Sequence, residues 1–185
     1  MSNSKSRRGL NIELITAISA IAIGVAALGF SFYEARLMRV QQEASLFPYI
    51  DIGAHYNSEG FEITAENKGN GLAFIESVKV SKDGYYFENW QEVIDSIAPP
   101  EYRIGYDVYG INQLNQKVMA PREEVSIFNV PWTDVTRVLI LEYFYDLNFE
   151  VIYCSMLDDC WRVTQFDKKP LKGKYEIDPE TDFNR

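Results

Sequence analysis

LITAISAIAIGVAALGFSFY, residues 14–33, runs twenty positions without a charge between Glu13 and Glu34. At about 1.5 Å of rise per helical residue, the stretch matches the roughly 30 Å hydrocarbon core of a bilayer. It predicts one transmembrane helix over residues 10–33. The run exceeds the roughly 7–15 apolar residues of a secretion signal and lacks a small-x-small site at its far end, so it reads as a retained anchor. Phe32 and Tyr33 suit the interface, and Arg36 and Arg39 can snorkel from beyond it. Residues 1–9, polar and basic, predict a short disordered tail.

Glu34–Phe47 contains no Gly or Pro before Pro48 and is rich in helix formers, which extends the helix as a stalk over 34–47, about 35 residues in all. Phe30, Tyr33, Leu37, Val40, Ala44 and Phe47 recur three and four apart, the spacing of a coiled-coil seam. Carried backward, the register selects Ala26, Ile23, Ser19, Thr16 and Ile12; in a pore built on this seam, Thr16, Ser19 and Ile23 would face the axis and Glu13 would lie near the mouth. Ala20/Gly24 and Ala22/Ala26 add small residues four apart, which favour close helix packing in membranes. Self-association through the anchor and stalk is expected; the alternative is a lone helix of permissive composition.

Lys5, Arg7 and Arg8 precede the span and Arg36 and Arg39 follow it, an imbalance that favours the N-terminus inside. The reading is a single-pass protein of the bacterial inner membrane with its domain in the periplasm, and the margin of one side chain leaves the cytoplasmic orientation open. Cys154 and Cys160 agree with export if they form a disulfide; two buried thiols in a cytoplasmic domain are the alternative. Net charge is -9. Beyond the span it is -11, from 15 basic and 26 acidic residues, so no nucleic-acid polymer is expected as partner. Lys168, Lys169, Lys172 and Lys174 read as a solvated tail.

After Pro48 the apolar period changes from 3.6 to 2, and residues 48–166 predict an antiparallel β-sandwich with one inserted short helix, making the protein mainly β after its long N-terminal helix. Strands are expected at Tyr49–Tyr56, Phe61–Ala65, Leu72–Ser81, Tyr85–Phe87, Val125–Val130, Val135–Phe144, Phe149–Ser155 and Trp161–Phe166, with Lys82-Asp83-Gly84 and Asp146-Leu147-Asn148 as hairpin turns. Asn89 caps the helix, which presents Trp90, Val93, Ile94 and Ile97 on one face and stops at Pro99-Pro100. Residues 101–121 read as a long loop with room for one strand. Residues 167–185 predict a disordered tail.

No pattern specifies catalysis, a metal or a cofactor. Cys154 and Cys160, five residues between them, suit a staple across a hairpin; zinc would need two further soft ligands, and the sole histidine, His55, lies on another strand. Asn67-Lys68-Gly69-Asn70-Gly71 has the glycines of a phosphate loop but no following helix, and reads as a turn. Tyr85, Tyr86, Trp90, Tyr102, Arg103, Tyr106 and Tyr109 concentrate rings around one cation and form the candidate ligand-binding surface, against the plainer reading that Trp90 and some tyrosines are core.

Asn-x-Gly-x-Gly-Leu-Ala-Phe-Ile-Glu-Ser-Val with the following Asp-Gly and Trp90, and Tyr-Cys-Ser-x-x-x-x-Cys-Trp at 153–161, together resemble a group of uncharacterised bacterial membrane-anchored domains. The resemblance covers the β domain and implies a fold and a bacterial origin, not an activity. The expectation is a non-enzymatic binding or sensor module on a membrane helix, with an unknown ligand or protein partner. The alternative is an oligomeric pore or ion-channel effector, for example in phage defence, gated by its β domain.

Overall fold

The computed structural model describes residues 6–164, 167–171 and 177–183. The chain divides into two compact units at Ala44/Ser45. The first is helix α1, Ser6–Ser45, 40 residues without interruption, and its part from Ile12 onward is long and apolar enough to cross a membrane. The stalk is therefore continuous with the apolar run, as expected from the absence of Pro before residue 48. Of the expected N-terminal tail, residues 1–5 lie outside the described residues and Ser6–Gly9 belong to α1.

The second unit holds two antiparallel sheets. β1 (Ile50–Tyr56), β2 (Gly60–Asn67), β7 (Glu124–Pro131) and β5 (Gly110–Ile111) form one, in the order β1-β2-β7-β5. The other runs β10 (Asp167–Leu171), β9 (Cys160–Thr164), β8 (Asn148–Cys154), β3 (Ala73–Lys82), β4 (Tyr85–Phe87), and β6 (Val118–Met119) also pairs with β3. Alternation follows the buried face: Phe61, Ile63 and Ala65 of β2 are buried, as are Val78 and Val80 of β3. Two bulges re-aim these faces. Ile127 of β7 is the extra residue opposite Ile63/Thr64, and Glu76 of β3 the one opposite Ile152/Tyr153. Asp83 and Gly84 take φ of 53° and 85°, the positive values that a two-residue hairpin turn requires.

Helix α2 (Trp90–Ile97) starts where its cap demands, with Asn89 accepting a hydrogen bond from Glu92 N, and buries Trp90, Val93 and Ile94. The Trp90 ring lies 4.5 Å from Phe128 of one sheet and 6.1 Å from Phe149 of the other. The aromatic centre of the core is thus assembled from three elements.

The structure corrects four expectations. Residues 135–144 are not a strand: Asp134–Val138 is helix α3, continued by a π turn over Leu139–Tyr143. Thr133 accepts from Thr136 N and Thr136 accepts from Thr133 N, a reciprocal cap that starts a helix whatever the β-branched content beyond it. Thr136, Leu139, Ile140 and Phe144 are buried, a helical spacing. The β domain therefore carries a second inserted helix rather than one, and Asp146-Leu147-Asn148 joins a helix to β8 instead of closing a hairpin. The loop at 101–121 contains two short strands, β5 and β6.

The end of the chain is the fourth. The expected disordered tail pairs as β10 with β9 over Asp167–Leu171, so Lys168 and Lys169 stand on an edge strand, while Lys172 and Lys174 lie outside the described residues. Further on, Phe183 is buried, its ring 5.1 Å from Trp90 and its N–H donating to Val78 O at 2.8 Å. A lone aromatic in a polar stretch gives no periodic signal. Its burial is a long-range event.

Candidate functional site

The seven aromatic and cationic candidates have different surroundings. Trp90 and Tyr109 are core residues; the Tyr109 hydroxyl donates to Gln91 Oε1 at 3.2 Å, and burial pushes its phenol up. Tyr85 and Tyr86 are exposed on β4. The Tyr85 hydroxyl donates to Glu92 Oε1, which raises its pKa, and Lys79 Nζ sits 5.6 Å over the Tyr86 ring. Tyr102 packs on Tyr143 with centroids 6.3 Å apart, Arg103 Nε donates to Ala98 O at 3.0 Å, and Tyr106 lies 5.6 Å from Tyr109. Their neighbours are structural ones.

A different set of rings surrounds open space. A cleft of about 210 Å³ lies between the β1–β2 hairpin and the segment running from the π turn into β8, lined among others by Ile52, Tyr56, Phe61, Phe144, Tyr145 and Phe149. Ile50, Ile52, Ala54 and Tyr56 share one face of β1, and burial falls along it from Ile50, fully covered, to Ala54 and Tyr56, exposed. The apolar alternation of β1 thus outruns its burial. Phe61, Phe144 and Phe149 floor the cleft as buried rings, with Phe61 and Phe144 at 6.3 Å in edge contact. Tyr56 and Tyr145 stand at its mouth. Sequence reading missed this group because alternation marks an apolar face but not whether anything packs on it.

The two passages that carry the resemblance meet elsewhere, on the segment that leaves α1. Asn67 is fully buried; its Nδ2 donates to the carbonyls of Gly71, Met119 and Ala120, and its Oδ1 accepts from the amides of Tyr49 and Gly69. Asn70 N and Gly71 N both donate to Phe47 O, and Lys68 N to Tyr49 O. A Cβ on Gly71 would overlap the Leu46 carbonyl, and one on Gly69 the backbone of Phe47 and Pro48, so close backbone approach explains both glycines. Cys154 and Cys160 are joined by a disulfide across β8 and β9. Next to it, Trp161 lies edge-on to Phe47 and stacks on Tyr153. The glycine turn and the stapled hairpin are two sides of one clasp.

His55 is structural, its Nε2 3.1 Å from Thr64 Oγ1 and 3.9 Å from Glu124 Oε1 on an outer sheet face. Among the described residues no His, Cys, Asp or Glu cluster could hold a metal ion. Along α1 the seam candidates Glu13, Thr16, Ser19, Ile23, Ala26, Phe30, Tyr33, Leu37 and Val40 are all exposed. Thr16 Oγ1 donates to Glu13 O at 2.8 Å and Ser19 Oγ to Ile15 O at 2.8 Å, so both hydroxyls are satisfied within their own helix. No protein-family model, curated protein or solved structure matches this chain.

Proposed function

We propose that the protein is a single-pass, non-enzymatic binding or sensor module whose two sheets pack as a β-sandwich and whose ligand enters the cleft between β1 and the Phe144–Phe149 segment. One observation carries this reading: the apolar face of β1 continues from the buried Ile50 as Ile52, Ala54 and Tyr56 with falling burial, and Ile52, Ala54 and Tyr56 line a ring-lined cleft. An uncovered apolar concavity with a few polar groups at its mouth is the common form of a small-molecule site. The helix is read as the tether of this module in a bacterial inner membrane, with the domain in the periplasm. Hydroxyls of Thr16 and Ser19 turned back on the carbonyls of Glu13 and Ile15 in the preceding turn suit a lipid-facing helix and support a tether over a water-lined pore. Self-association through its small and seam residues is compatible with that role.

Two measurements test it. A reporter fused after Arg185 should report an exported C-terminus; a cytoplasmic signal overturns the periplasmic placement. Phenylalkyl probes titrated into the full chain in nanodiscs should move the methyl resonances of Ile52, Ile63 and Leu147 saturably, and Ala54→Phe should abolish the response. If no such probe produces a saturable shift, whatever its head group, the cleft is not a binding site.

A further inference from the structure

The edges of the two sheets are not alike. β1 and β5 flank one sheet, and β10, β4 and β6 lie at the edges of the other. β5 and β6 have two residues each and β4 three, while β10 contains Lys168, Lys169 and Pro170. Short strands, lysines and proline are the means by which β proteins keep an edge from pairing with another chain. β1 has none of them: it runs seven residues in unbroken register with β2 and contains neither Pro nor Lys. The register also tells which of its backbone groups are open. Lys68 N donates to Tyr49 O and Asn57 N to Gly60 O, so the odd-numbered residues between them turn their amides and carbonyls to β2. Ile52, Ala54 and Tyr56 turn theirs the other way, and among the described residues none of these N–H or C=O groups has a hydrogen-bond partner. The same three residues line the cleft. A row of open main-chain groups therefore runs along one wall of it.

We propose that the cleft takes an extended polypeptide segment of a partner, added as a strand to the open edge of β1; this rests on the reading of the cleft as a binding site. The edge selects the occupant, because a main chain offers donors and acceptors at the strand repeat and a compact small molecule does not. Residues opposite each other on neighbouring strands share a face. Those of the segment that pair with Ile52, Ala54 and Tyr56 thus point into the cleft, and those between them face away. The segment is recognised by its main chain, which supplies affinity, and by apolar side chains at every second position, which supply selectivity.

The test uses the full chain in nanodiscs holding one copy each and the peptide acetyl-Lys-Leu-Thr-Leu-Thr-Leu-Lys-amide. Without peptide, the amides of Ile52, Ala54 and Tyr56 should exchange with solvent faster than those of Gly53 and His55, which pair with β2. Peptide should slow the three to the level of their neighbours and shift the methyl resonances of Ile52 and Leu147 saturably. N-methylation of its leucine amides, which face β1 in the paired register, should weaken binding by more than about tenfold, and N-methylation of its threonine amides, which face away, should not. Slow exchange of the three amides in the free chain, or binding that survives methylation of the leucines, overturns the strand assignment. If phenylalkyl probes bind and the peptide does not, the cleft stands and its peptide ligand falls. If neither binds, both readings fall.

Discussion

The ring of Trp161 meets the ring of Phe47 edge-on, with centroids 5.1 Å apart and planes at 80°. Phe47 precedes β1 and Trp161 lies next to the disulfide, so this pair ties the first residues of the β unit to β9. Phe47→Ala removes the contact without touching the Trp90 core and should cost about 1 kcal/mol, the scale of an aromatic pair. Phe47→Leu should recover part of it. Urea unfolding followed by tryptophan fluorescence reads the difference, and equal midpoints for wild type and both variants would deny the pair any role.

Asn67 should be the least replaceable polar residue of the β unit. Its amide makes three donor contacts at 2.8 to 3.2 Å and its carbonyl two acceptor contacts at 3.1 Å. Asn67→Ala strands several buried backbone groups, at an expected cost of about 2 to 4 kcal/mol. Asn67→Asp should cost at least as much, because a carboxylate has no donor for the three carbonyls. An Asp variant with wild-type thermal stability would refute this account of the clasp.

The Cys154–Cys160 bridge closes a loop with a sequence separation of 6. Short loops gain least from closure, so reduction should cost about 2 to 3 kcal/mol and leave the core folded. Thermal melts with and without a dithiol reductant, repeated on Cys154→Ser, should agree with each other. Global unfolding on reduction would assign the bridge a larger role than its loop length allows.

What was legible in the sequence was local. Pro48 ended the helix, Asp83-Gly84 made its turn and Asn89 capped α2, because each depends on a few neighbouring residues. Residues 135–144 defeated a reading by composition: Val, Leu, Ile, Tyr and Phe suit a strand, and only the Thr133 and Thr136 cap reveals a helix. The cleft, the clasp and the burial of Phe183 depend on segments tens of residues apart. Asn67 reaches Met119 and Ala120, and Phe183 reaches Val78, by folding alone.

That cap can be tested directly. Thr136 is fully buried and its Oγ1 also donates to Pro131 O at 2.7 Å. Thr133→Ala should cost about 1 kcal/mol, as the loss of one cap. Thr136→Val, of similar shape, should cost more, because it also leaves the Thr133 amide and the Pro131 carbonyl without their partner. The order of the two denaturation midpoints is the check, and a more stable Thr136→Val variant would refute it.

The clasp should also carry a pH dependence. Glu123 Oε2 accepts from Ala120 N at 2.8 Å and Oε1 faces Lys117 Nζ at 3.1 Å; these interactions hold its carboxyl below the usual range. Its backbone carbonyl accepts from Asn67 N at 2.9 Å, so the carboxylate stiffens the loop on which Asn67 depends. Because the folded pKa is depressed, the stabilisation is complete above the unfolded carboxylate value of about 4.3 and is lost as pH falls through the lower folded value. Glu123→Gln keeps an acceptor for Ala120 N but does not titrate. Its urea midpoint should lie below wild type at neutral pH and converge with it in acid, and a gap independent of pH would show that the charge contributes nothing.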